Sequence, residues 1–321
     1  MAKSKVVIRH TDKGLRPALE AVLQSLSWEK TVFPGARVVI KPNYCTAIPE
    51  KVEAANTSFE LLKTFCEILK SRTSNITIGE SAGPRHSAEE AFIANNASAL
   101  RDELGVSILD FEKDKRTTRD IDFFGEMELP ETLLKADVFI TLPKLKTHAL
   151  TYFTGSLKNQ WGCVPNPRRI LFHMYIDRLL VELNRIFRPQ LCIMDGITGM
   201  ENRGPTNGTP RSLGLVLGSN DPVALDATAM RLAGLDVSRA RHIVLAGLEG
   251  LGETDERNIE LDMDGKDDIA PFEPARFDWA LKAMNYMTRY EWFVKNILLN
   301  DRVFIPTKKA VNVMRKLGIV R

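Results

Sequence analysis

No window of these 321 residues approaches the roughly 18 consecutive apolar residues that a membrane span requires. The opening stretch MAKSKVVIRH has no apolar run suited to a secretory leader, so a soluble, cytoplasmic protein is expected. Cysteine is scarce. Cys45, Cys66, Cys163 and Cys192 are far apart and match no CxxC, zinc or ferredoxin spacing; they read as buried free thiols, and no iron–sulfur cluster is expected from them. Excess charge is missing too, because a formal charge of +3 is too close to balance, at this length, for a nucleic-acid protein. There is no internal repeat, no low-complexity segment and no Walker A loop. The most informative absence is local: from Val138 through Ile176 there is not one Asp or Glu.

Inside that acid-free stretch Lys144, Lys146, Lys158, Arg168 and Arg169 carry charge that no sequence neighbour cancels, among Thr147, His148, Thr151, Thr154, Ser156 and Asn159. Such a loop attracts anions. The apolar run Val138 to Leu142 stops at Pro143, which places the cluster just beyond a strand end. In open α/β sheets ligands bind there.

In chain order, Lys5 to His10 reads as a strand and Leu15 to Leu26 as an amphipathic helix. Arg37 to Ile40 is a strand ended by Pro42, and Asn56 or Thr57 caps the helix that follows. Asn75 to Ile78 and Val106 to Leu109 are further strands, with Ser87 capping a helix between them and a solvated charged loop over Glu112 to Asp120. Leu171 to Phe187 reads as a helix. Leu191 to Met194 is a strand running into a glycine-rich loop from Asp195 to Pro205, and Asp221 with Pro222 starts another helix. Ile259 to Met263 is an edge strand. The fold class is α/β, a mostly parallel sheet flanked by helices over residues 1–270. Residues 271–321 form a helical, basic and aromatic extension that packs on the domain or contacts a second copy, a partner or a membrane surface.

Four strand ends deliver polar residues: Lys41 with Asn43, Glu80 with Ser81, Lys144 to His148, and Asp195 to Glu201. Parallel strands send these ends to one edge, so a single cleft is expected. Lys41, Asn43, Lys144, Lys146, Thr147 and Asn159 are its anion-binding candidates, with Gly155 and Ser156 presenting backbone N–H groups at a helix start. His148 acts as acid or base, kept neutral by the lysines around it, and Lys158 and Glu80 join it as catalytic candidates. Asp195 and Glu201 are candidates for a divalent metal or for substrate hydroxyls.

The segments KPN (41–43), GES (79–81), LPKLKTH (142–148), TGSLKNQWG (154–162), DGITGMENRGP (195–205) and DPVALDA (221–227) closely resemble the DUF362 family over residues 5 to 265. Asn202 stands where that family commonly has glycine. Many members look iron–sulfur linked through an attached ferredoxin segment, for which this chain lacks the cysteines. A more distant likeness is to the N-terminal domain of the nickel-pincer lactate racemases, in which a histidine precedes the cofactor-holding lysine by ten residues, as His148 precedes Lys158. His173 lies near the place of a later nickel-ligating histidine there. Residues and resemblance together lead to an enzyme acting on a small carboxylated or phosphorylated metabolite. The resemblance adds an isomerase- or racemase-like reaction and a metal or organometallic cofactor. The alternative is a non-catalytic metabolite- or cofactor-binding protein serving a redox or iron–sulfur linked partner.

Overall fold

β-branched runs punctuated by Pro, Gly and Asn fold into strands β1 (Ser4–His10), β2 (Val38–Pro42), β3 (Ile76–Glu80), β4 (Ser107–Asp110), β5 (Arg116–Ile121), β6 (Gly125–Pro130), β7 (Val138–Leu142), β8 (Lys144–His148), β9 (Tyr152–Thr154), β10 (Leu191–Glu201), β11 (Thr209–Ser219) and β12 (Ile259–Met263). The structure, a computed structural model, describes residues 3–83, 86–165, 167–265 and 269–275, with scattered positions between 283 and 303. Ten strands share one sheet in the order β12-β1-β11-β10-β7-β2-β3-β4, with β8 laid on β10 and β9 on β8. The run from β10 to β4 is parallel throughout, and β11 is antiparallel to both β10 and β1.

Every residue of β2 and β7 is buried, as befits central parallel strands covered on both faces. Alternate side chains feed two cores. Val38, Ile40, Val138 and Ile140 pack with the helices Leu15–Ser25 and Phe59–Leu69, while Val39 and Phe139 pack with Leu179, Leu180 and Leu183 of the helix Ile176–Ile186. Ser87 and Glu90 form the capping box expected of SxxE, and Asp221 caps Pro222–Leu232 by accepting from the amides of Val223 and Ala224.

Several expectations are corrected. Ser58, not Asn56 or Thr57, caps Phe59–Leu69. The Thr57 hydroxyl is taken by long-range bonds, accepting from the Asn43 amide at 2.8 Å and donating to the Leu142 carbonyl at 2.6 Å. The charged run 112–120 is not a simple loop, since β5 pairs with β6 in a two-stranded sheet whose Ile121, Met127 and Leu129 are buried. Pro143 ends β7 as expected, but the cluster beyond it is itself a strand, since the chain re-enters the sheet at once as β8. Residues 195–201, read as a loop, continue β10. The helix expected from Leu171 begins as a 3₁₀ segment, Pro167–Tyr175, and becomes α-helical at Ile176. Cys66, Cys163 and Cys192 are buried and free; Cys45 is free and half-buried. Most of the extension 271–321 lies outside the described residues. Among the described residues no helix is long and apolar enough to cross a membrane.

Candidate functional site

The carboxyl ends of β2 and β3, the middle of β10 and the strand β8 bring their polar residues into one buried network. Lys41 Nζ pairs with Glu80 Oε2 at 2.5 Å, and Lys144 Nζ with Asp195 Oδ2 at 2.9 Å. Both carboxylates are also held by backbone: Glu80 accepts from the amides of Tyr44 and Ser81, Asp195 from those of Ser58 and Ile197. Asn159 donates to the Lys41 carbonyl and the Thr141 hydroxyl, both at 2.9 Å, and accepts from Asn43 at 3.2 Å. These bonds engage Lys41, Asn43, Lys144, Asn159, Glu80 and Asp195 with partners inside the chain, the first four expected to bind an anion and Glu80 expected to act in catalysis. Their partners come from strands distant in sequence. Gly162 lets its loop press on the first pair, since a Cβ there would lie 2.4 Å from Glu80 Oε1 and 2.7 Å from Lys41 Nζ.

Gly155 and Ser156 do present a helix start to a carboxylate, but the carboxylate belongs to the chain. Asp226 accepts from the amides of Ser156 at 2.6 Å and Leu157 at 3.0 Å, and a Cβ on Gly155 would meet Asp226 Oδ1 at 2.2 Å. Burial pushes the Asp226 carboxyl up to about 7, outweighing the N–H groups that favour its charge. No external anion takes this seat while Asp226 fills it.

Beside this network lie groups that have no carboxylate partner among the described residues. Lys146 is fully buried and donates to Asn43 Oδ1 at 2.8 Å, to Cys45 Sγ at 3.0 Å and to the Ala55 carbonyl. Thr147 is buried with no partner for its hydroxyl among the described residues. Lys158 is half-buried, its Nζ 5.6 Å from the centre of the Trp161 ring, and among the described residues no acceptor meets it. Burial, then Arg169 and Lys146, brings its amine down to about 7. The indole also neighbours His173, whose ring centre is 5.3 Å away and whose basicity is lowered to about 3 by burial and then by Lys158 and Arg169.

His148 accepts at Nδ1 from the amides of Leu150 (3.0 Å) and Thr151 (3.2 Å). That pattern places the proton of the neutral ring on Nε2. Burial, then Lys158 and Lys146, holds the ring neutral well below its usual range. The neutral ring thus offers its Nε2–H as a donor, while its Nδ1 lone pair is already engaged. Arg169 and Trp161 were missed as site residues, although both stand in the acid-free stretch. Arg169 is buried and donates to the Val164 and Ala82 carbonyls and to Ser81 Oγ, tying the 3₁₀ segment to the end of β3.

Glu201 is bound instead to Arg211 at 2.8 Å and to the Glu273 amide at 2.9 Å. Among the described residues no three of His, Cys, Asp or Glu come together to hold a metal ion.

The family model for the domain of unknown function DUF362 matches residues 38–231. A thylakoid-associated protein of Synechocystis sp. is 33% identical over 248 residues, a match covering 74% of this chain and 76% of that protein. Two solved structures are similar at lower identity. The lactate racemase apoprotein from Thermoanaerobacterium thermosaccharolyticum shares 10% identity at a TM-score of 0.48, over 71% of this chain and 57% of that one. A structural genomics target from Thermotoga maritima shares 14% at 0.40, over 74% and 59%. The chain thus spans less than two thirds of the length of either solved protein.

Proposed function

The chain belongs to the DUF362 family, and from that premise we propose that its carboxyl-edge cluster is the active site of an enzyme moving a proton on a small carboxylated or phosphorylated metabolite, an isomerase-type reaction. The observation that carries this reading is the Lys158 amine, free of any acceptor among the described residues and brought to about 7. A group near pH 7 can both take and return a proton in one catalytic cycle. Lys146, Lys158 and Arg169 have no carboxylate partner among the described residues, so a bound anion supplies the charge they lack. The Nε2–H of His148 donates to a carbonyl or carboxylate oxygen of the substrate as charge builds on it.

An ion held by the protein alone does not fit these donors. The lone pair of His148 is used at Nδ1, and Asp195 and Glu201 are bound to cations. A cofactor carrying its own ligands needs only an attachment point, and the unclaimed amine of Lys158 favours a second reading, a cofactor-binding protein serving a partner.

The test is proton exchange in D2O, followed by NMR, for a panel of 2-hydroxy acids, 2-oxo acids and sugar phosphates. Deuterium entering a carbon position with the wild type and not with Lys158→Met supports the enzyme. No exchange with any compound, together with a stable mass adduct on Lys158 in protein from its native source, supports the cofactor-binding reading.

A further inference from the structure

Cys45 lies three residues beyond β2, and Lys146 is the central residue of β8. Lys146 Nζ stands 3.0 Å from Cys45 Sγ. The other close polar neighbours of that sulfur are the carbonyls of Ala55 at 3.5 Å and Pro205 at 3.6 Å. Residue 45 is anchored, because its amide donates to Asn56 Oδ1 at 2.9 Å while Asn56 Nδ2 donates to the Thr46 carbonyl at 2.8 Å. Cys45 is also the one cysteine of four that is not fully buried, so a small oxidant can reach it. Burial disfavours the ammonium of Lys146 and so favours the neutral amine, the form that a peroxide oxidises.

We propose that Cys45 and Lys146 form a redox modification site, in which a peroxide joins Sγ to Nζ through a single bridging oxygen. One hydrogen peroxide oxidises the thiol to a sulfenic acid and departs as water. A second oxidises the amine to a hydroxylamine, again leaving water. The S–OH and N–OH groups then condense, breaking one O–H and one bond to oxygen, expelling a third water and leaving S–O–N. Sulfur and nitrogen each give up two electrons, and the two peroxides accept all four. A separation of 3.0 Å is wide for a direct S–N bond and leaves room for one atom, so the backbone at neither residue has to shift. The link withdraws Lys146 from the three cations that lack a carboxylate, and it stands whether or not the proposed reaction does.

The experiment treats the full chain with hydrogen peroxide and maps its peptides by mass spectrometry without reductant. The expected product joins the peptide of Cys45 to that of Lys146, with one oxygen gained and two hydrogens lost. Dithiothreitol should release it, and Cys45→Ser or Lys146→Arg should not form it. Sulfinic acid at Cys45 with Lys146 free, a linked pair lacking the oxygen, or no reaction would overturn the proposal. Because unmodified chain is the sample, the answer does not depend on either variant folding.

Discussion

Lys41 and Lys144 reach the carboxyl edge beside carboxylates, whereas Lys146, Lys158 and Arg169 reach it beside an amide, carbonyls, hydroxyl, thiol and indole. In sequence the lysines of the two sets look alike, each near strand residues and away from acids. The difference is made by sheet order: β3 lies beside β2 and delivers Glu80, while β10 lies beside β8 and delivers Asp195. A matched pair is internal structure. An unmatched cation held out of water is a demand for an anion from elsewhere.

The largest effect expected is on the matched side. Glu80→Gln leaves the Lys41 ammonium buried without its counter-charge and should cost about 3 to 5 kcal/mol of stability, read by urea unfolding. A loss below about 1 kcal/mol would erase the distinction between the two sets. On the unmatched side Lys158→Met should leave stability unchanged or raised. It should weaken inorganic phosphate, titrated calorimetrically, about tenfold to a hundredfold, the worth of one charge-assisted contact. Equal phosphate affinity in wild type and variant would count against Lys158 as part of the anion site.

Titration sharpens the contrast. The folded state lowers the lysine pKa at 158 to about 7, so the unfolded chain holds that proton more tightly. The penalty is full below about pH 7 and is relieved as pH rises from there toward the ordinary lysine range. Stability should therefore gain across that window in the wild type and lose that gain in Lys158→Met. Phosphate affinity should move the opposite way, falling as the ammonium disappears above about pH 7.

The smallest effect belongs to Asp226, whose pKa is raised to about 7, so the folded state keeps a proton that the unfolded chain releases. Its contribution is full below the ordinary aspartate range and declines as pH climbs to about 7. Asp226→Asn retains an oxygen for the two amides and should flatten that decline, while changing stability at pH 4 by less than about 1 kcal/mol. An unchanged slope would argue that Asp226 is ionised throughout.

The sheet was largely legible because Val38 to Ile40 and Val138 to Leu142 are unbroken apolar runs, which only a doubly covered parallel strand explains. The hairpin β5–β6 was hidden because Arg116 to Asp120 shows solvent a charged face, leaving Ile121 as the one buried residue of its strand. At β8 local chemistry misled: Pro143 lacks an amide, yet its carbonyl accepts from Asp195 at 2.8 Å and carries the chain onto β10. At the site, residue types and the common edge were readable. Which lysine finds a carboxylate was not, because Glu80 is 39 residues from Lys41 and Asp195 is 51 from Lys144.

The carboxylate of Asp226 at the start of Ser156–Asn159 has one more effect. It acts as a resident stand-in for a ligand, bracing that turn through two amides before any visitor arrives. In the proposed site Lys158, two residues on, is thereby positioned in advance, and an anion bound there need not spend part of its binding energy on ordering the loop.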